Sequence, residues 1–344
     1  MLVREVVEAT RRARPRQVWR SRVAIGVAVV FAVGTAVRVV GAENGAFLVP
    51  LMAFTPYFAI LAVVALAIVA VVRSRAAIAI MLVVCACLAW CVVPRAVPGD
   101  APAGGRPLRL LTTNLNGGRG DATVIVDLVR DLRVDVLSVQ ELTWSAREQL
   151  AAAGLGALLP YHVGRAEFRG PEGSGVYARH PLKERTGLFQ PVGHHMPVVE
   201  VALPGGPAVE VVVVHPVAPV PATVPEWEAG IAALPPAPTT ASTAGPAVAS
   251  ASGLSRVLAG DFNATLDHAV FRRLLDTGYT DAAAATGQGL VPTWPMSRRG
   301  RSLPPLVTID HVLTDARAGA VSTRVYDVPG SDHRALFADL RIGG

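Results

Sequence analysis

The chain changes character near residue 94. Before it, apolar residues run almost unbroken over 23–40, 46–72 and 76–93. Each run has the roughly 18 residues or more that a helix needs to cross a hydrocarbon core of about 30 Å. Pro50 and Pro56 fall in the second run without excluding a span, because transmembrane helices tolerate proline. Beyond residue 94 the apolar stretches are short and end in polar chemistry. Residues 108–114 predict a strand that closes on Asn114, and 134–141 a second that closes on Glu141. Between them 121–132 has helical spacing, with Val124, Ile125, Leu128 and Val129 on one face. A helix over 145–153, a glycine-opened strand over 173–179 and paired strands over 198–203 and 209–215 follow, the last running into His215. An apolar stretch then arrives at Gly260-Asp261-Phe262-Asn263, followed by a helix over 269–275, strands over 307–313 and 321–328, and a last element over 334–342. Residues 94–107 are rich in Pro, Gly and Ala and read as a linker; 234–252 read as a low-complexity insertion.

Composition agrees with this division. The chain is 51% hydrophobic with a mean hydropathy of +0.43, and the excess sits in its first hundred residues. Its pI of about 9.8 has the same origin. Residues 1–100 hold 11 of the 32 basic and 4 of the 26 acidic residues, which leaves 21 basic and 22 acidic residues for 101–344. A nearly neutral C-terminal part, with Lys183 as its sole lysine, carries no nucleic-acid footprint. The arginines mark orientation instead: seven precede residue 23 and Arg73 and Arg75 lie between the second and third runs, whereas the loop at 41–45 has none. The positive-inside rule then puts the basic N-terminus, residues 1–22, in the cytoplasm. Three membrane helices over 23–93 follow, in a multi-pass cell-membrane protein whose domain over 108–344 is extracytoplasmic. All three cysteines, Cys85, Cys87 and Cys91, lie in the third run, so that domain has neither disulfides nor thiol chemistry. The spans contain no acidic residue of the kind that marks an ion pathway, which disfavours a transporter.

The polar strand ends are Asn114, Glu141, His215, Asp261, Asn263, Asp310, Asp332 and His333. Singly, such residues are caps and turns more often than ligands. Together they describe one rim of a layered fold, where loops meet and sites form.

In order and spacing, Gln140-Glu141, Gly260-Asp261-Phe262-Asn263, Ile309-Asp310-His311 and Ser331-Asp332-His333 resemble the endonuclease/exonuclease/phosphatase superfamily of Mg²⁺-dependent hydrolases, with weaker support from 173–179 and Pro292-Thr293-Trp294. The resemblance covers 108–342 and leaves the membrane segment aside. It implies an α/β fold, a four-layer sandwich of two packed mixed sheets with outer helices. It also implies a divalent-metal-dependent hydrolase of phosphate esters. Glu141 then corresponds to the principal metal carboxylate, assisted by Asn114 and Asp332, with Mg²⁺ or Mn²⁺ as cofactor. Asp310 corresponds to the residue that orients His333. Either His333 or Asp261 serves as general base, Asn263 holds the water or a phosphate oxygen, and His215 stabilises charge or protonates the leaving oxygen. The substrate it implies is a nucleic acid, a phospholipid or a small phosphodiester. The membrane is the other partner, through the three N-terminal helices, and no segment points to an obligate protein partner.

Two departures from the family pattern stand out. Asn116 occupies a position that is acidic in many family nucleases, which weakens a second metal position, and His215-Pro216-Val217-Ala218-Pro219 resembles a prokaryotic, often membrane-anchored branch. A catalytically inactive member serving as an extracellular binding or signalling module is the alternative, disfavoured by the full set of polar residues. His194 and His195 read as loop residues, Asp267, Asp276 and Asp281 as caps or helix-surface groups, and Arg298, Arg299 and Arg301 as a solvated charged face.

Overall fold

The computed structural model describes residues 2–238, 253–298 and 301–343, and side-chain placement from residue 17 onward apart from 297, 298 and 301. It divides into two compact units, residues 1–44 with 54–93, and residues 45–53 with 94–344.

In the first unit, α1 (Leu2–Val40), α3 (Thr55–Val72) and α4 (Arg75–Val92) pack through an apolar spine that includes Ala28, Ala62, Ala77, Met81 and Leu88. Phe31 stacks on Phe58 at 4.8 Å between ring centroids. Three stretches, Gln17–Val40, Thr55–Val72 and Arg75–Ala96, are long and apolar enough to cross a membrane. The second apolar run is therefore not one helix, contrary to its reading as a span over 46–72. Its first part forms a separate helix, α2 (Gly45–Met52), and α3 starts anew with Pro56 in its first turn, where a missing N–H costs nothing.

In the second unit, β1 (Arg106–Asn114), α5 (Ala122–Asp131), β2 (Val136–Gln140), α6 (Trp144–Ala152), α7 (Leu155–Leu158), β3 (Tyr161–Arg165) and β4 (Ser174–Ala178) come first. They are followed by β5 (Leu182–Arg185), β6 (Val198–Val201), β7 (Val209–Val214), α8 (Val224–Ala232), β8 (Ser255–Asp261), α9 (Ala269–Leu275), β9 (Thr280–Asp281) and α10 (Ala282–Ala285). A short hairpin, β10 (Ser297–Arg298) with β11 (Arg301–Ser302), precedes β12 (Asp310–Thr314), β13 (Ala318–Asp327) and β14 (Arg334–Ile342). Among the described residues these strands make two six-stranded mixed sheets, ordered β13-β14-β1-β2-β4-β3 and β5-β6-β7-β8-β12-β9. The expected four-layer sandwich is what forms. Inward-facing residues of both sheets, among them Leu108, Leu110, Val211, Val213, Ala259 and Leu340, close a central core. Helices α5, α6 and α7 cover one sheet through Ile125, Val129 and Leu150, and α8 and α9 cover the other through Trp227, Ile231 and Phe271.

Helix starts follow their caps. Asp121 accepts from the N–H groups of Thr123 and Val124, and Thr143 from that of Ala146. The expected caps divide: Asp281 caps α10 and Asp276 ends α9, whereas Asp267 is a buried ion-pair partner. Helix α8 and strand β5 have no counterpart in the apolar pattern, because α8 carries Pro225, Glu226 and Glu228 among its core residues and β5 is a half-exposed edge.

Two further expectations change. Residues 94–107 are strapped down and do not behave as a free linker: Arg95 makes a bidentate pair with Asp267 at 2.6 and 2.7 Å, Gly99 donates to the Ala285 carbonyl and Gly289 to that of Arg95. Of the insertion over 234–252, residues 239–252 lie outside the described residues, and its start is packed. Leu234 and Ala237 are buried, Tyr279 donates to the Pro235 carbonyl and Arg256 to that of Pro236. Similarly, Arg299 lies outside the described residues.

Cutting the Arg95–Asp267 pair leaves a buried charge uncompensated. Arg95→Ala in the full chain is expected to cost about 3–5 kcal/mol, read as a lowered denaturation midpoint. His311, fully buried on β12, bonds Asp281 through Nδ1 at 2.8 Å and the Ala264 carbonyl through Nε2 at 2.9 Å. Burial alone would lower its pKa, but the Asp281 carboxylate outweighs burial and the pKa is raised. Its contribution to stability is therefore complete below about pH 6.5, the ordinary histidine value, and is lost as pH rises through the raised folded value. Chemical denaturation across that range is expected to show this slope in the wild type and a flatter one in His311→Gln.

Candidate active site

Most of the sequence-predicted residues converge where the two sheets share a rim. Asn114 ends β1, and Glu141 follows β2 directly with φ of 55°, a left-handed turn that swings its carboxylate out of the sheet line. His215 follows β7, Asp261 ends β8 and Asp310 opens β12. Gly260 is required for steric reasons, since a Cβ there would lie 1.9 Å from the Val214 carbonyl oxygen on the neighbouring strand.

Asp261 is the hub. Its Oδ2 accepts from Asn114 Nδ2 at 3.0 Å and lies 3.6 Å from His333 Nε2 and 3.8 Å from His215 Nε2, while Oδ1 accepts from the Asn263 N–H at 2.8 Å. The same Asn114 amide donates to Glu141 Oε1 at 3.1 Å, so one amide joins a carboxylate from each sheet. Glu141 Oε2 accepts from the Gly117 N–H at 2.5 Å. Asp310 holds His333 Nδ1 through both oxygens, at 3.0 and 3.2 Å. Asn263, with φ of 50°, donates its side-chain amide to the Pro216 carbonyl at 3.1 Å. The loop bearing His333 is tied back by Ser331, which donates to the Asn114 carbonyl at 2.7 Å.

Burial sets the protonation states. The His215 pKa falls well below the ordinary histidine value, first because burial disfavours the cation and then because His194 and His333 stand near. Burial opposes charge on His333 too, but the Asp310 and Asp261 carboxylates prevail and lift it to about 10. Burial pushes the Asp261 carboxyl up to about 7, against the pull of His333. The rim thus holds a neutral imidazole, a cationic imidazole and a carboxyl poised near neutrality around one small space.

Asp332 is the exception to the convergence. Its Oδ2 accepts from Trp294 Nε1 at 3.2 Å, and it reaches the cluster through its electrostatic influence on His333. Asp261, Asp310 and His333 offer one potential metal-ligating atom each within 4.8 Å of one another. Both Asp310 oxygens are engaged by His333, and both Glu141 oxygens accept from Asn114 and Gly117, but Glu141 is the more accessible carboxylate, its side chain being 20% exposed. An oxygen-rich set of carboxylates and amides fits a hard divalent cation.

The structure adds His194, whose Nδ1 lies 3.2 Å from His215 Nδ1. Only the paired histidines at 194 and 195 hinted at it in the sequence. Gln140, prominent in the sequence, serves structure: Thr112 donates to its Oε1, and its Nε2 donates to Ser138, which in turn donates across the sandwich to the Ala259 carbonyl. Beside Glu141 the rim carries the exposed Trp144, which meets Phe168 edge-on at 5.6 Å, with Arg169 over the Phe168 ring.

Among solved structures, TDP2 from D. rerio complexed with a single strand DNA product is 15% identical, with a TM-score of 0.51 over 68% of this chain and 99% of that one. Truncated Caenorhabditis elegans TDP2 is 14% identical, with a TM-score of 0.50 over 70% and 100%. An endonuclease/exonuclease/phosphatase from Beutenbergia cavernae DSM 12333 is 20% identical, with a TM-score of 0.49 over 70% and 72%. At these identities the likeness is one of fold. No curated protein matches the chain. The sequence profile of one family spans residues 111–333 and takes in the whole polar cluster from Asn114 to His333, and the chain accordingly belongs to the Endonuclease/Exonuclease/phosphatase family.

Proposed function

We propose that this protein is a membrane-anchored, extracytoplasmic, divalent-metal-dependent hydrolase of phosphate esters. The observation that carries the reading is the convergence of Asn114, Glu141, His215 and His333 on the buried carboxylate of Asp261. The family's members are hydrolases of phosphodiester-type substrates.

Glu141 would hold the cation with Asn114 beside it, while Asp332, engaged by Trp294, acts on the site through His333; when bound the cation supplies Lewis-acid stabilisation of charge on the phosphoryl oxygens. The chain's own groups supply the rest. Asp261, poised near neutrality, takes the proton of the attacking water, and Asn263 beside it positions that water. His333 is held cationic by Asp310, which makes it a donor to a non-bridging oxygen and a poor base. That assigns the general-base role to Asp261. His215 Nε2, buried between the Glu141 and Asp261 carboxylates, faces the oxygen that leaves.

The segment 45–53 belongs to the same compact unit as residues 94–344. With three spans, that loop and the C-terminal domain fall on one side of the bilayer. Which side that is rests on the arginines alone, and they put both outward.

The test uses the full chain in detergent with Mg²⁺ or Mn²⁺, offered plasmid DNA, RNA, single-stranded DNA, sphingomyelin, phosphatidylinositol phosphates and bis(p-nitrophenyl) phosphate. Metal-dependent turnover of at least one is expected, and none at all would overturn the reading. Asp261→Asn is expected to lower kcat by roughly 10²- to 10⁴-fold while leaving most Mn²⁺ affinity, measured by titration. Collapse of metal binding in that variant would reassign Asp261 as a ligand.

A further inference from the structure

His215 reaches the reaction space through Nε2, so what happens at its other nitrogen decides how it can act. A neutral imidazole has one N–H and one lone pair, and the partner of the outer nitrogen selects which of them faces inward. Here Nδ1 of His215 lies 3.2 Å from Nδ1 of His194, with the rings 4.5 Å apart and inclined by 44°. Two ring nitrogens at that distance share one proton, so the tautomers of the two histidines are tied together.

His194 is built into place. Gly193 precedes it with φ of 81°, and a Cβ there would lie 2.7 Å from Val217 and 3.3 Å from the Glu226 carboxylate, so only glycine lets this loop close onto the segment after His215. Its neighbour His195 donates its N–H to the Glu172 carbonyl, which pins the far side of the loop. His194 is half-buried between His215 and a cavity of about 630 Å³, bordered by Arg165, Glu172, Glu184, Arg185 and His195. Glu172, Glu141 and Glu226 all bear on its ring.

On the inner side, His215 Nε2 is flanked by Asp261 Oδ2 at 3.8 Å and Glu141 Oε1 at 3.9 Å. Two carboxylate oxygens around one nitrogen favour an N–H there, which leaves Nδ1 as the acceptor. We propose that His194 is a positioning residue for the phosphohydrolase site: it donates its Nδ1–H to His215 Nδ1 and so holds His215 as the Nε2–H tautomer, with its proton aimed at the substrate oxygen. This rests on the hydrolase reading above. Backbone carbonyls offer the competing arrangement: that of Pro171 accepts from His215, and that of His215 itself accepts from His194.

The test compares side chains that do and do not keep a donor where Nδ1 sits. In an asparagine the amide nitrogen falls close to the Nδ1 position, whereas in a glutamine it falls near Nε2. In the full chain, His194→Ala and His194→Gln are expected to lower kcat on the order of 10- to 100-fold, as lost orienting partners do, with little change in KM. His194→Asn should retain most activity, and His195→Ala, on the same cavity wall, should leave it unchanged. Equal loss in the Asn, Gln and Ala variants, or no loss in any, overturns the proposal. Histidine-selective ¹⁵N NMR of the detergent-solubilised chain reads the tautomer without any substrate. The wild type is expected to show His215 protonated at Nε2, and His194→Ala to show a mixture of tautomers. A wild-type His215 protonated at Nδ1 overturns the proposal whether or not turnover is found. Absent turnover with the expected tautomer overturns only the hydrolase reading.

Discussion

One amide holds the site together. Asn114 Nδ2 donates at once to Glu141, which follows a strand of the first sheet, and to Asp261, which ends a strand of the second. Both bonds lie at the seam between two sheets that meet mostly through apolar side chains, in an interior where an unpaired carboxylate is costly. The seam tolerates charge there because its charged groups have partners: Asp261 has Asn114 and Asn263, Asp310 has His333, and Ser331 anchors the last loop to the Asn114 backbone. Removing the amide would separate two carboxylates from their common donor and loosen the rim from both sides.

Below the rim the sandwich carries a second polar chain, from Thr112 through Gln140 and Ser138 to the Ala259 carbonyl. It crosses from one sheet to the other three residues before Glu141 and two before Asp261 in sequence. Such a satisfied buried network specifies how the sheets slide relative to one another more sharply than apolar packing does. The register that brings Glu141 opposite Asp261 is thereby fixed from beneath. Gly260 contributes the remaining constraint, since its missing side chain lets β7 and β8 run close enough for His215 and Asp261 to emerge side by side.

The second unit also gathers segments from elsewhere in the chain. Asp267 holds Arg95, just past the third long apolar helix, and His268 bonds the Val49 carbonyl in α2, between the first and second. Two adjacent residues thus tie both approaches to the domain. Within the second unit the bidentate arginine pair leaves the start of residues 94–107 little freedom.

Much of this was legible in the sequence, and the reason is local. Apolar runs of span length, strands ending in Asn114, Glu141 and Asp261, and the helix over 269–275 all depend on patterns within a few residues, and the order of the polar strand ends identified the family. Pattern alone cannot separate the head of the run at 46–72 from its remainder, since α2 and α3 are equally apolar and differ only in what they pack against. It cannot tell a cap from an ion-pair partner at Asp267, or show that the loop histidine His194 meets His215. Their partners, Arg95 and His215, stand 172 and 21 residues away. The sequence by itself determined which residues are available for chemistry. Only the tertiary structure decided which nitrogen faces which oxygen, because long-range approach of strands sets those distances.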